Sequence, residues 1–500
     1  MKKMKKLFII SMSSMAVLLL QNCTKLDEKV YDRYAATDFY NTPVGSNAAL
    51  ASVASQLNGT WGANYAGFDN CWYDVNCFSS DEQVIPHRID GNWQLDFSIL
   101  YKHTWTPSTP GIINNVWTWL YNSVYKANLA IELLTKANAD PAKIAEAKVL
   151  RAFFYYLLID DFGDVPFYTT NNLTVDKIPQ AKRKDVFDFI VKELTENVDK
   201  LPETKGGSYY GRFNKWAGYT LLAKLYLNAQ IYTGTPKWTE CLAACNKVST
   251  GGFTLHPGGA NTSSPLGFRY YELFGDKCPD DETILAIYNT AALVGNMIYG
   301  VRGLIFDDGN NKFPGLGGWN GTVVIKDYVD KFDPNDIRIK QFIWGPQPSG
   351  INYVQNVSSL DAPGAGVNEG TRNLKFYPAG IINNGASNDF PVYRYADILL
   401  MKAECNVRLG NPATAKPDID AVRIRAGLPG LAAPPTLDDI YNERGFELNF
   451  EGHRRQDMIR FDKYLLAHDF KGVSGSFRKL FPIPTPALDA NKSLVQNPGY

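Results

Sequence analysis

The strongest pattern in the chain is a pair of apolar stripes at helical spacing between residues 114 and 160. In each stripe the apolar positions recur every three or four residues, which predicts an α-helix with one buried face. The stripes comprise Val116, Leu120, Val124, Ala127, Ile131 and Leu134, and then Ile144, Ala147, Leu150, Phe154 and Leu157. Asp140-Pro141 lies between them, an N-cap acceptor followed by a proline suited to the first helical position. We therefore expect an antiparallel helical hairpin whose wide apolar faces need further helices to cover them.

Similar stripes predict more helices on both sides of this hairpin. Gly410 followed by Asn411-Pro412 is a typical end of one helix and start of the next. Successive helical hairpins favour a mainly α, tetratricopeptide-like stack, although here the hairpins recur at about twice the usual spacing of ~34 residues. The additional helices are expected at 46–57, 186–201, 215–231, 237–248, 398–409, 412–426 and 437–450.

Two stretches lack the helical period. In residues 58–110 turn residues alternate with aromatics, and residues 251–390 are punctuated by glycines. We interpret both as loops with short strands and short helices. Because loops carry binding groups more often than cores do, these stretches are the expected ligand-binding parts. The helical scaffold is expected at about 112–250 and 391–465.

The N-terminus is typical of an exported protein. Residues 1–22 combine a lysine-rich start with an apolar run that is short for a membrane span, which predicts a signal peptide. Leu20-Gln21-Asn22-Cys23 resembles a lipobox, so Cys23 is the expected lipid attachment site and residues 23–45 a tether. A plain secretory signal is the alternative, because Gln21 and Asn22 are not the usual small residues.

Composition and charge narrow the possible functions. The chain has 51 Lys plus Arg and 51 Asp plus Glu, a balance that argues against a nucleic-acid partner. Its 28 tyrosines and 10 tryptophans offer apolar faces with polar edges, which suit wet binding surfaces. The five histidines show no metal-binding spacing, and no nucleophile-elbow or zinc-protease motif occurs. We therefore expect no metal, cofactor or catalytic residue.

The cysteines have two expected roles. In an exported protein Cys71 and Cys77 are the most plausible disulfide pair by proximity along the chain. Cys241 and Cys245 are four residues apart on a predicted helix and are interpreted as small core residues.

Three segments in a fixed order resemble the SusD-like (RagB/SusD) family of outer-membrane lipoproteins. Residues 145–168 read AEAKVLRAFFYYLLIDDFGDVPFY, where that family shows a segment ending in FGDVP. Residues 391–409 read PVYRYADILLMKAECNVRL, and residues 440–461 read IYNERGFELNFEGHRRQDMIRF, each similar to a family segment. With the lipid signal, the resemblance covers essentially the whole chain and implies a single SusD-like domain over residues 46–500.

The resemblance implies a binding function. It predicts a tetratricopeptide-like helical scaffold with a loop-rich half, anchored by lipid to the outer membrane and facing the exterior. Such a protein captures a glycan and delivers it to a SusC-like TonB-dependent transporter. A peptide-binding lid of the same kind of transporter is the alternative within the family. A glycoside hydrolase using Glu447 and Glu451 is the alternative outside it, but the surrounding arginines favour an ion-paired network.

The resemblance also indicates contact residues. Residues 80–93 are similar to a family loop, in which Trp93 could stack on a sugar ring while polar side chains bind its hydroxyls. Asn92 stands where the family usually has aspartate. A simpler interpretation is that Asp81 and Arg88 only pair with each other to hold the loop. The candidate glycan contacts are Trp93, Asn92, Asp81, Arg88, Trp319 in its glycine-rich run, Tyr65 and Trp72.

Overall fold

The computed structural model describes residues 36–58, 62–91, 96–289, 297–382 and 385–500. The predicted signal peptide, Cys23, most of the tether, and the candidates Asn92 and Trp93 lie outside these ranges. None of the helices within them is both long and apolar enough to cross a membrane.

The predicted hairpin is confirmed at the centre of the fold. It consists of α5 (Gly111–Lys136) and α6 (Pro141–Phe162). The Asp140 side chain accepts a hydrogen bond from the Ala142 backbone N–H at 2.9 Å, which caps α6 as expected. Almost every residue of α6 from Val149 onward is buried, because neighbouring helices cover one side and the loop-rich half covers the other.

The scaffold is a continuous stack of helices. From α5 and α6 the packing continues through α7 (Arg183–Asn197) and α8 (Lys215–Leu227) to α10 (Trp238–Ser249). It then reaches α14 (Tyr395–Arg408), which contacts both α15 (Pro412–Arg425) and α16 (Leu437–Glu447). The remaining helices flank this stack or lie in the loop-rich half. The helices besides α5 and α6 are α1 (Ala36–Asn41), α2 (Pro43–Ala54), α3 (Trp72–Phe78), α4 (Asp96–Tyr101), α7 (Arg183–Asn197), α8 (Lys215–Leu227), α9 (Ala229–Thr233), α10 (Trp238–Ser249), α11 (Tyr299–Arg302), α12 (Phe306–Lys312), α13 (Lys326–Val329), α14 (Tyr395–Arg408), α15 (Pro412–Arg425), α16 (Leu437–Glu447), α17 (Arg454–Arg460) and α18 (Thr485–Ala490).

One predicted helix is divided. The stripe at 215–231 predicts a single helix, but Asn228 leaves helical geometry with a ψ of 7°. Its buried side chain donates to the Lys224 carbonyl at 3.0 Å, a local bond that competes with the helix ladder. The helix therefore ends at Leu227, and α9 is a separate turn.

The strands of the described residues form two-stranded antiparallel pairs. The longest pair joins β3 (Thr283–Ile287) to β10 (Phe390–Arg394), with Phe390 opposite Ile287, and all ten residues are buried or nearly so. This pair connects the loop-rich half to the start of α14. The shorter pairs are β1 (Val165–Pro166) with β2 (Gln180–Ala181), β4 (Phe342–Ile343) with β7 (Arg372–Asn373), β5 (Gly345–Pro346) with β6 (Asn352–Tyr353), and β8 (Ile381–Ile382) with β9 (Gly385–Ala386).

A buried ion network replaces the opposed acids that a hydrolase would need. Glu447 accepts from Arg338, Arg394 and Arg425, and Glu451 accepts from Arg394. Burial opposes ionisation of Glu447, yet the three arginines lower the pKa of its carboxyl to about 2. Both carboxylates are fully enclosed, so the predicted structural network is confirmed and no cleft separates them.

Candidate functional site

Asp81, the first candidate contact, is tied to the helical scaffold rather than to Arg88. Its two carboxylate oxygens accept from Arg454 Nε at 2.7 Å and Nη2 at 2.9 Å. Burial alone would raise the pKa of Asp81, but the Arg454 guanidinium outweighs burial and holds that pKa well below its usual range. The alternative in which Asp81 and Arg88 pair with each other is therefore wrong.

Arg88 instead holds two loops together. Its Nη1 donates to the carbonyls of Gly366 and Glu369 at 2.8 and 2.9 Å, and its Nε donates to the Asn320 carbonyl at 3.3 Å. Arg372 reinforces the same junction through the Glu369 carbonyl and the Asn320 side chain. Burial and the nearby Arg372 charge lower the pKa of Arg88 to about 9. Both guanidinium groups thus support the loop that carries residues 366–370.

Next to this junction lies a groove formed by two neighbouring cavities of ≈ 430 and ≈ 550 Å³. We call it the loop groove. The two cavities share Ile325, Asp327 and Asp469 in their walls. The first is also lined by Asp81, Tyr101, Tyr328, Lys331, Ala467 and His468, and the second by Lys326, Val354, Asn356, Val357, Ser358, Asn368, Glu369 and Phe470.

The loop groove combines apolar surface with hydrogen-bonding groups. Phe470 is 42% exposed and Val354 is 43% exposed at its edge, while Asn356 and Asn368 supply amides. Phe470 sits in a turn closed by two backbone bonds between His468 and Lys471, with a φ of 61°. A bulky side chain rarely adopts this left-handed conformation, and such strain is concentrated at functional sites.

Two of the candidate aromatics are not at the surface. Tyr65 and Trp72 are 3% and 2% exposed, and their rings stack on each other with centroids 4.4 Å apart. Tyr65 also packs against Phe153 of α6 and Phe390 of β10. Their assignment as ligand contacts is corrected: they are part of the core between the two halves, because irregular backbone here covers the scaffold instead of extending into solvent.

Trp319 is half-buried and packs against the main core. The glycines before it allow close backbone contact rather than a projecting tip. A Cβ on Gly318 would lie 2.4 Å from the carbonyl oxygen of Leu304. A Cβ on Gly309 of α12 would lie 2.0 Å from the carbonyl oxygen of Gly317. Trp319 nevertheless directly precedes Asn320, which Arg88 and Arg372 both contact. Of the predicted residues, Asp81 lines the first cavity of the loop groove, and Arg88 holds the backbone of Glu369, which lines the second. Trp319 is next to Asn320 in the chain and is not part of the lining of either cavity.

The cysteines differ from expectation in one respect. Cys71 and Cys77 are free and buried, so the predicted disulfide is wrong. Cys71 caps α3 and Cys77 lies six residues later, which is about 9 Å along a helix and beyond the ~7 Å that a disulfide spans. Cys241 and Cys245 are fully buried on α10, which confirms their core role. Across the described ranges, no group of three or more His, Cys, Asp or Glu residues is arranged to hold a metal ion.

A further cavity of ≈ 250 Å³ lies on the scaffold, between α5, the β1–β2 region and the C-terminal segment. Its walls include Trp117, Tyr121, Tyr168 and Leu494 and are mostly apolar. A sugar presents many hydroxyl groups that need polar partners. The loop groove, with its amides and carboxylates, meets that need better.

Glu82, beside Asp81, leads to a pH-dependent prediction. Glu82 is fully buried, and burial raises the pKa of its carboxyl from 4.5 to about 8. The folded state thus keeps a proton that the unfolded state releases, so the free energy of unfolding falls from about pH 5 to about pH 8. Glu82→Gln cannot ionise, so its stability relative to that of wild type is expected to rise by about 3 kcal/mol over that range.

Urea unfolding of Glu82→Gln and wild type at about pH 5 and at about pH 8 measures this difference in stability. The exposed Glu132→Gln variant is the control and should follow wild type. If Glu82→Gln is more stable than wild type by the same amount at about pH 5 and at about pH 8, the Glu82 carboxyl is not held protonated by burial.

Sequence comparison connects both walls of the loop groove to one family. Residues 318–471 match the profile of the SusD family, and residues 26–227 match a profile described as starch-binding associating with outer membrane. The chain belongs to the SusD/RagB family. Asp81 and Tyr101 lie in one matched stretch, and Asp327, Asn356, Asn368 and Phe470 lie in the other.

Individual SusD/RagB relatives extend the match over most of the chain. The starch-binding protein SusD of Bacteroides thetaiotaomicron is 26% identical, covering 87% of this chain and 86% of that protein. The surface glycan-binding protein A of Bacteroides uniformis superposes with a TM-score of 0.74 at 21% identity, covering 91% and 99%. The protein of the same name from Bacteroides thetaiotaomicron, in complex with laminarihexaose, superposes with a TM-score of 0.71 at 21% identity. The match covers 90% of this chain and 98% of that one.

These comparisons confirm the mainly helical SusD-like fold with few short strands. SusD family members are binding proteins, and the chain is not an enzyme. The sequence pattern did not identify Phe470, Asn368, Asp327 or Asp469. No motif marks them, and distant loops bring them together.

Proposed function

We propose that this protein is a glycan-binding lipoprotein of the outer membrane that hands its ligand to a SusC-like TonB-dependent transporter. The matched family profile is described as starch-binding and associated with the outer membrane, and one relative that is 26% identical over most of both chains is named for starch binding. Cys23 is the proposed attachment site for the lipid, and the protein body then faces the cell exterior.

The observation that carries the proposal is the mixed character of the loop groove. A glycan has an apolar C–H face on each ring and a rim of hydroxyls. Phe470 and Val354 supply exposed apolar surface, and Asn356, Asn368 and Glu369 supply acceptors and donors beside it. The left-handed backbone at Phe470 holds that ring at the groove edge.

Trp93 and Asn92 are further proposed contacts, because residues 80–93 resemble a loop of the family. They follow the segment in which Arg88 joins the loops at residues 320 and 366–369. We propose that Trp93 stacks on a sugar ring and that Asn92 bonds its hydroxyls, with Trp319 as a further contact. Asp81 contributes as a wall residue, since its carboxylate is already engaged by Arg454.

The test is direct binding with matched variants. The body lacking residues 1–23 is screened against a glycan array, and affinity for the best ligand is measured by calorimetry. Trp93→Ala and Phe470→Ala are each expected to weaken binding about fivefold to tenfold, because one stacked ring contributes roughly 1 kcal/mol. Tyr125→Ala, at an exposed aromatic on the scaffold helix α5, should bind as wild type does.

Other outcomes decide between functions. Tight binding of peptides with no glycan retained would replace the proposal with the peptide-binding alternative. Release of new reducing ends would contradict a purely binding function. Purification of the lipidated protein from outer membranes without a large barrel protein would remove the transporter from the proposal.

A further inference from the structure

Two carboxylates meet at the middle of the loop groove without a basic partner. Asp327 is exposed and Asp469 is half-buried, and both line the two cavities. Among the described residues, neither lies within 4.0 Å of a lysine, arginine or histidine nitrogen. Burial raises the pKa of Asp469, and the adjacent Asp327 carboxylate raises it further. A cation at this point would relieve the repulsion between like charges.

A third acceptor faces the same cavity. Tyr101 is 1% exposed and lines the first cavity with Asp81, Asp327 and Asp469. Its ring packs edge-on against His468, with centroids 5.1 Å apart. Its hydroxyl forms no hydrogen bond with any residue that the structure describes, although buried polar groups normally have a partner. This hydroxyl is therefore available to a hydrogen-bonding group of a ligand in the cavity.

The neighbouring basic groups pair with other carboxylates. Lys326 pairs with Asp330. Lys331 lies in the wall of the first cavity, where its Nζ is 3.6 Å from Asp81 and its charge offsets part of the rise in the pKa of Asp469. His468 is neutral near pH 7, because burial lowers the pKa of its imidazole to about 4. Glu369 adds a further carboxylate to the second cavity. The centre of the loop groove therefore has a negative potential, which disfavours sulfated or carboxylated chains.

We propose that Asp327, Asp469 and Tyr101 form a subsite for the protonated amine of an amino sugar. This inference rests on the proposed function and specifies its ligand class. An ammonium group has three N–H donors, which match two carboxylates and one phenolic oxygen. A divalent metal ion fits less well. Metal sites of this type use six or more oxygens, and within the described ranges no three His, Cys, Asp or Glu side chains are arranged to hold a metal ion.

The experiment compares two oligosaccharides that differ only at the amine. Chitosan hexasaccharide and its fully N-acetylated counterpart are titrated into the protein at low salt and mildly acidic pH. Wild type is expected to bind the amine form about tenfold more tightly, and Asp327→Asn with Asp469→Asn should abolish that preference. The charge-matched control is Asp188→Asn with Asp489→Asn, at exposed sites outside the groove, and it should keep the preference.

A conservative variant separates binding from folding. Tyr101→Phe removes only the unpaired hydroxyl, so the melting temperature should not change while affinity for the amine form drops severalfold. Equal or tighter binding of the N-acetylated form by wild type would overturn the subsite and leave glycan binding intact. An amine preference that survives the double aspartate variant would overturn it as well. If neither oligosaccharide binds and no glycan on the array is retained, both the subsite and the proposed function are overturned.

Discussion

Replacing Arg394 by alanine is expected to destabilise the protein by about 3–5 kcal/mol, the usual effect of removing one partner from a buried charge network. Arg394 is 1% exposed, and its guanidinium contacts Glu282, Glu447 and Glu451. Without it, the ion-pair partners that remain among the described residues are Lys375 for Glu451 and Arg425 for Glu282. A loss of this size is a large fraction of the ~5–15 kcal/mol that stabilises a typical fold.

The measurement is the free energy of unfolding in urea, which does not screen charges. The control is Lys184→Ala, which removes an exposed ion pair to Asp188 on α7 and should leave the stability close to that of wild type, because solvent screens exposed pairs. If Arg394→Ala and Lys184→Ala lower the free energy of unfolding by the same small amount, Arg394 does not hold the loop-rich half to α16. A second variant, Arg394→Met, keeps most of the side-chain volume. It should recover little stability if the loss comes from uncompensated carboxylates rather than from a cavity.

The scaffold could be predicted from the chain because its signals are local. The α5–α6 hairpin carries two uninterrupted stripes, and the Asp140-Pro141 cap lies at the residue where the second helix begins. The split at Asn228 could not be predicted from the stripe, since apolar spacing continues through it. There the side-chain bond to the Lys224 carbonyl decides the outcome.

For the loop-rich half, the sequence predicts that loops are present but not where each loop lies. Alternating aromatics and turn residues indicate loops, but they do not distinguish a loop that faces solvent from one that covers a scaffold. Tyr65 and Trp72 are of the second type. Asp327 and Asp469 line the same two cavities although they are 142 positions apart in the sequence, and no spacing rule relates such positions. The family resemblance predicted ligand contacts at Asp81 and Arg88, but it could not predict that their structural partners are Arg454 and backbone carbonyls.

Arg88→Ala is expected to abolish most glycan binding, by more than about tenfold, and to destabilise the protein by roughly 2 kcal/mol. The Arg88 guanidinium satisfies the carbonyls of Asn320, Gly366 and Glu369, and each buried acceptor left without a donor costs about 1–3 kcal/mol unless water reaches it. Because the Glu369 segment forms one wall of the loop groove, its loss of order removes ligand contacts that Arg88 does not itself make.

Hydrogen exchange distinguishes this supporting role from direct ligand contact. In wild type the Ala365 amide donates to the His87 carbonyl at 2.8 Å and the Ile89 amide to the Ala365 carbonyl at 3.1 Å. Arg88→Ala should lose protection at these amides in the absence of any ligand, and Arg88→Lys should restore it only in part, since one ammonium cannot reproduce the geometry of the guanidinium. Asn368→Ala provides the contrast: it should weaken binding while exchange at Ala365 and Ile89 stays as in wild type. Unchanged protection in Arg88→Ala together with lost binding would make Arg88 a ligand contact, as the family loop suggests, instead of the residue that holds the groove wall in place.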